Sequence, residues 1–306
     1  MRRFLPVVLV MTVASPAWVG TANAAPSTLN RNDLAAYRGL GTWVDVYEYV
    51  PALQKPHRKP AVTPSDVDTM KDRGVKTLYL QSAQDDTRIP GATVAPKLLG
   101  QFLQRAHEAG LRVVAWYLPH FDDLDADLRH IRGLLNFRSG GEHFDGLALD
   151  IEFRGDVADA AARSTALVDL SQRVRALAPN RPIGAIVLEP VLLEVVNADF
   201  WPDFPWRELA GLYDVWLPMS YWTNRNTASG YRDGFRYTDE NIRRLRANLG
   251  RADAPVHAIG GLGDAATAQD YPGFVRAART QRAIGWSIYN YSVTPRRVWP
   301  RLGGKG

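Results

Sequence analysis

From Gly41 onward the chain alternates between short apolar runs rich in β-branched and aromatic residues and longer stretches with helical spacing of apolar positions. The runs are 41–49, 75–83, 111–119, 144–152, 182–189, 213–222, 255–262 and 283–291, eight in all. Between them, Thr63-Pro64 with Asp66 starts a helix that Gly74 stops, and Pro96 to Ala109 forms another stopped by Gly110. Further helices are expected over 125–136, 158–178, 238–249 and 272–282, with a less regular connection over 194–212. Eight alternating units predict an α/β fold, a single (β/α)8 TIM barrel over 41–300, rather than an open doubly wound sheet, whose glycine-rich loop after the first strand is missing.

The run Phe144-Asp-Gly-Leu-Ala-Leu-Asp-Ile-Glu-Phe153 has one bulky face, Leu147, Leu149, Ile151 and Phe153. Its other face is small and then acidic: Gly146, Ala148, Asp150 and Glu152. A barrel strand so patterned turns its bulky face to the helices and brings Asp150 and Glu152 out together at the barrel's mouth. By the same reasoning run one offers Asp45 and Tyr47, and run two Tyr79 and Gln81. Run three ends at Trp116-Tyr117 with His120 just beyond, and run five at Glu189. Run six ends Met219-Ser-Tyr221-Trp222, and run eight carries Trp286 to Asn290. About half of Trp43, Trp116, Trp216 and Trp286 are expected as core fillers.

Acids with tyrosines and tryptophans at one end of a barrel suit a carbohydrate, since rings pack on the C–H face of a sugar and carboxylates or amides bind its hydroxyls. Hydrolysing a glycosidic bond needs a proton donor and a group that stabilises or attacks the oxocarbenium-like carbon. Glu152 beside Asp150 is expected to hold its proton, raised by repulsion and burial, with Asp150 ionised. Glu189 is the alternative second acid.

The stretch Asp145-Gly-Leu-Ala-Leu-Asp-Ile-Glu152 resembles the D-G-x-D-x-D-x-E signature of glycoside hydrolase family 18, the chitinases and their relatives. Met219-Ser-Tyr-Trp222 resembles that family's M-x-Y-D. The resemblance implies that Glu152 is the general acid, that Asp150 and Tyr221 hold a substrate acetamido group, and that Trp286 floors a sugar subsite. Ala148 and Trp222 stand where the family has aspartates. The chain is also similar to the family 25 lysozymes, which carry D-x-E on an equivalent strand and an aspartate on strand one, a place Asp45 can fill. The expected substrate-binding set is thus Asp45, Tyr47, Gln81, Tyr117, His120, Glu189, Met219, Tyr221, Trp222, Trp286 and Asn290, and the expected activity is hydrolysis of an extracellular polysaccharide or cell-wall glycan. The alternative is a non-catalytic carbohydrate-binding barrel.

Met-Arg-Arg, an apolar run and Thr-Ala-Asn-Ala24 predict a secretory signal peptide over 1–24, followed by a polar, flexible lead-in over 25–40. The mature protein is expected to be secreted, extracellular, monomeric and without membrane insertion. Losing Arg2 and Arg3 leaves 35 basic against 32 acidic residues, so +5 falls to +3, too little to imply nucleic acid. The chain has no cysteine, which excludes disulfides, a thiol nucleophile and thiolate metal sites. Its six histidines lack metal spacing, and neither metal nor cofactor is expected. The serines lack a G-x-S-x-G elbow, and Arg154-Gly155-Asp156 is expected only to shape the cleft beside Glu152.

Overall fold

The computed structural model describes residues 30–303 apart from Pro56, Arg154 and Asp156. The signal segment and its cleavage site at Ala24 lie outside the described residues, as do Arg154 and Asp156 of the loop after Glu152. Eight parallel strands close into a barrel in chain order: β1 Gly39–Val44, β2 Thr77–Gln81, β3 Arg112–Tyr117, β4 Gly146–Ile151, β5 Ile183–Val187, β6 Val215–Ser220, β7 His257–Leu262 and β8 Gly285–Tyr289. The helices are α1 Val46–Tyr49, α2 Asp66–Asp72, α3 Pro96–Glu108, α4 Leu124–Asn136, α5 Ala160–Leu177, α6 Trp206–Leu209, α7 Gly234–Leu249, α8 Asp270–Thr280 and α9 Trp299–Leu302. Among the described residues no helix is long and apolar enough to cross a membrane.

Run one departs from expectation. Its strand ends at Val44, because Asp45 accepts from the Tyr47 backbone N–H while Glu48 Oε2 accepts from the Asp45 N–H, a capping box that starts α1. The connection after β5 is irregular as predicted, with a wide turn over Leu192–Val196 and then α6.

The barrel interior is filled in layers. At its foot lies Tyr37, fully buried, in the stretch expected to be a flexible lead-in. Its hydroxyl donates to the Leu147 carbonyl at 2.7 Å and lies 3.3 Å from that of Pro182. This ring is why β4 and β5 carry glycine at this level: a Cβ on Gly146 would stand 2.8 Å from Tyr37 Oη, and one on Gly184 3.0 Å from its ring. Above it Tyr79 stacks on Trp43 with ring centres 4.2 Å apart, and Trp43 Nε1 donates to Ser287 Oγ at 2.8 Å. Tyr79 Oη and the Tyr37 carbonyl both lie within hydrogen-bond reach of His257 Nδ1, 3.1 and 2.8 Å away. Burial holds His257 down at about 4, so the imidazole is neutral.

Two carboxylates tie strand entrances together at the foot. Asp145 accepts from His107 at 3.0 Å, Arg112 at 2.9 Å and the Val113 N–H at 2.7 Å. Asp214 accepts from Arg31, from Arg175 at 2.6 Å and from the Ile183 N–H at 2.8 Å. The first acid of the D-G-x-x-x-D-x-E stretch therefore serves the architecture, a barrel's height from the mouth.

Candidate active site

The last inward-facing positions of the strands surround a cavity of about 310 Å3 at the barrel's C-terminal end. Alternation along β4 brings Asp150 and Glu152 onto its wall, as the pattern of bulky and small faces required. Asp45, Tyr47, Gln81, Met219 and Tyr221 also line it, all of them expected. Sequence reasoning left out of its site set Trp43, Trp116 and Tyr289, together with Gln84 and Asn224. Strand parity carried the signal for the first three: Gly285, Ser287 and Tyr289 face inward together, as do Gly41 and Trp43.

Parity also displaces several expected residues. Trp286 points to the helices, where its Nε1 donates to the Leu302 carbonyl at 2.9 Å and Arg279 covers its ring. It floors no subsite. Trp222, just beyond the end of β6, is fully buried near Tyr271 and Phe274 of α8. Tyr117 faces α4 and donates to Asp127 at 2.6 Å. His120 stacks on Phe153 outside the cavity lining. Glu189 is 3% exposed and sits behind the wall, accepting from Tyr237 Oη at 2.9 Å with Arg225 3.9 Å away. Asn290 is one step back from the cavity and acts on Asp45. Of the four tryptophans weighed together, Trp43 and Trp116 face the cavity, whereas Trp216 packs near Trp206 and Tyr213.

The carboxyls differ in surroundings. Asp45 Oδ1 accepts from the Tyr47 N–H at 2.8 Å, and Oδ2 from Tyr289 Oη at 3.1 Å and Asn290 Nδ2 at 3.3 Å. Burial raises its carboxyl, and these donors oppose the rise by favouring the anion. Behind it Glu48 is pushed up to about 7 by burial and then by the charge of Asp45.

Asp150, 7% exposed, is the most enclosed of the three carboxyls that line the cavity, and its Oδ1 has no partner among the described residues. Burial, and then the charge of Glu152, hold its carboxyl well above the carboxylate range. Glu152, nearer solvent, is raised by burial alone. This reverses the expectation that Asp150 is ionised. Asp150 is the harder of the two to ionise, because among the described residues no donor reaches it to stabilise its anion and Ala148 stands beneath it, and where both hold a proton Glu152 is the one nearer solvent to give it up. As the two share a site, the pair titrates in two steps.

Tyr221 stands among these acids, with its ring 6.2 Å from Tyr289; burial and the surrounding carboxylates keep its phenol protonated, and so a donor. Among the described residues no cluster of His, Asp and Glu has the arrangement to hold a metal. What the cavity can supply is a proton from a raised carboxyl, an ionised partner held by donors, and aromatic walls.

No protein-family model matches the chain, and no curated protein matches its sequence. Solved structures do match by shape. A class V chitininase from Pseudomonas fluorescens Pf-5 is 9% identical, with 88% of this chain and 100% of that one covered at a TM-score of 0.60. An endo-1,4-beta-D-mannanase from Thermotoga petrophila RKU-1 is 13% identical, covering 83% and 88% at 0.59. Active domain 2 of a chitinase from Pyrococcus furiosus is 14% identical, covering 87% and 93% at 0.57. At these identities the likeness is one of fold: the chain shares the (β/α)8 barrel of these glycoside hydrolases.

Proposed function

We propose that the protein is a secreted glycosidase that hydrolyses a polysaccharide or cell-wall glycan outside the cell, after removal of residues 1–24. The observation that carries this reading is the placing of Glu152 and Asp150 on one wall of an aromatic-lined cavity that Asp45 also lines. Glu152, its carboxyl raised by burial, donates a proton to the glycosidic oxygen. Asp45, held as an anion by Tyr289, Asn290 and the Tyr47 N–H, answers the positive charge that develops on the sugar carbon. Asp150 and Tyr221 hydrogen-bond the substrate beside the bond to be cleaved. Rings of Trp43, Trp116 and Tyr47 take the apolar faces of sugars.

The test is a screen of the mature chain for released reducing ends on chitin, peptidoglycan and neutral or amino-sugar polysaccharides, with Glu152→Gln as control. Wild-type turnover should fall by about 100-fold or more in the variant, and full activity in Glu152→Gln would sink the reading. The alternative, a barrel that binds glycans without turnover, is favoured by one observation, the missing acid at Ala148. It predicts binding with no reducing ends released by either form.

A further inference from the structure

The charge of the cavity is at odds with that of the chain. The whole sequence carries 37 Lys and Arg against 32 Asp and Glu, yet among the described residues no Lys, Arg or His lines the cavity, while Asp45, Asp150 and Glu152 do. Two further buried carboxyls, Glu48 and Glu189, stand directly behind that wall. Arg225 is engaged by Glu189 at 3.9 Å, and Arg88 by Asp86 at 2.6 Å.

Hydrogen-bonding capacity tells the same story independently of charge. Asp150 Oδ1 is buried in the cavity wall with no partner among the described residues, a position where an unmet acceptor is costly. A protonated amine brings three donors and no acceptor, whereas an acetamido group brings one donor and a carbonyl that itself needs a donor. Burial holds the carboxyls of Asp150 and Glu152 above their ordinary range, a cost that a neighbouring cation offsets, whereas Asp45 already has donors that favour its anion.

We infer that the cleft takes an oligosaccharide whose hexosamine rings carry free, protonated amines, with Asp45 as the carboxylate that recognises the ammonium group. The inference rests on the reading of the cleft as a glycan site and names the sugar it accepts.

Calorimetric titration of the mature Glu152→Gln chain tests this at mildly acidic pH, where the amines are protonated. The probes are glucosamine and galactosamine oligomers, N-acetylated oligomers of the same lengths, and a neutral glucose oligomer. At low salt one amine oligomer should bind at least about tenfold more tightly than its acetylated counterpart. The margin should shrink as salt is raised. Adding Asp45→Asn should cut the preference to less than about threefold, with thermal unfolding confirming that the double variant is folded.

Equal or tighter binding of the acetylated or neutral oligomers, no binding of either amine oligomer, or a preference untouched by Asp45→Asn would each overturn the inference. The two readings fail separately. Wild-type hydrolysis of an acetylated or neutral glycan without amine preference removes only the substrate class, whereas amine-selective binding without hydrolysis of any glycan removes only the catalytic role.

Discussion

Glu189 allows a quantitative test of how this barrel handles buried acids. Its carboxyl is pushed up to about 7, chiefly by burial, against the pull of Tyr237 Oη and Arg225 and with some help from Glu152. A carboxyl raised in the folded state stabilises most when protonated: the contribution is whole below the unfolded value near 4.5 and is lost as pH rises through about 7. The gap corresponds to about 3 kcal/mol, of which about 2.5 kcal/mol falls between pH 5 and pH 8. Glu189→Gln removes the ionisation but keeps an oxygen that can accept from Tyr237. Urea unfolding at both pH values should therefore show the wild type losing about 2.5 kcal/mol more than the variant across that range. Glu48, raised to a similar value, titrates in both proteins and cancels from the comparison. Parallel losses in the two proteins would mean that Glu189 is ionised without penalty, and burial would not be the dominant influence on this acid.

Three other outcomes follow from the same geometry. Because burial raises the carboxyl of Glu152, Asp150→Asn should lower kcat about tenfold or more while the alkaline limb of the pH–rate profile stays above the ordinary carboxylate range; a limb that fell into that range would mean that the charge of Asp150, and not burial, holds the proton on Glu152. Tyr37→Ala should cost about 3–5 kcal/mol in chemical denaturation, and a chain begun at Gly41 should be similarly weakened, whereas an unchanged midpoint would show that the barrel's foot does not need this ring. Tyr47→Ala, at an exposed ring on the cavity's rim, should weaken glycan binding about three- to tenfold, while Trp286→Ala should leave it unchanged; the opposite ranking in a binding titration would overturn the parity assigned to β8.

The barrel was legible from the chain because periodicity is local. Each buried strand flanked by an amphipathic helix repeats the same signal, and eight repeats admit few architectures. The facing of Asp150 and Glu152 was legible for the same reason, since Gly146 and Ala148 mark an interior too crowded for larger side chains. Tyr37 was not, because its role is to fill a space made by strands more than a hundred residues later in the chain, and the polar residues around it suggest a loose lead-in. Trp286, Trp222 and Tyr117 were misplaced because their facing depends on strand register by a single residue, which composition at a strand's end does not reveal. The protonation of the acidic pair needed the tertiary structure most of all. Spacing alone brings two carboxyls together, but which one keeps the proton is decided by depth and by donors, and the side-chain donors that reach Asp45, Tyr289 and Asn290, come from the end of β8 and the residue after it, at the far end of the sequence.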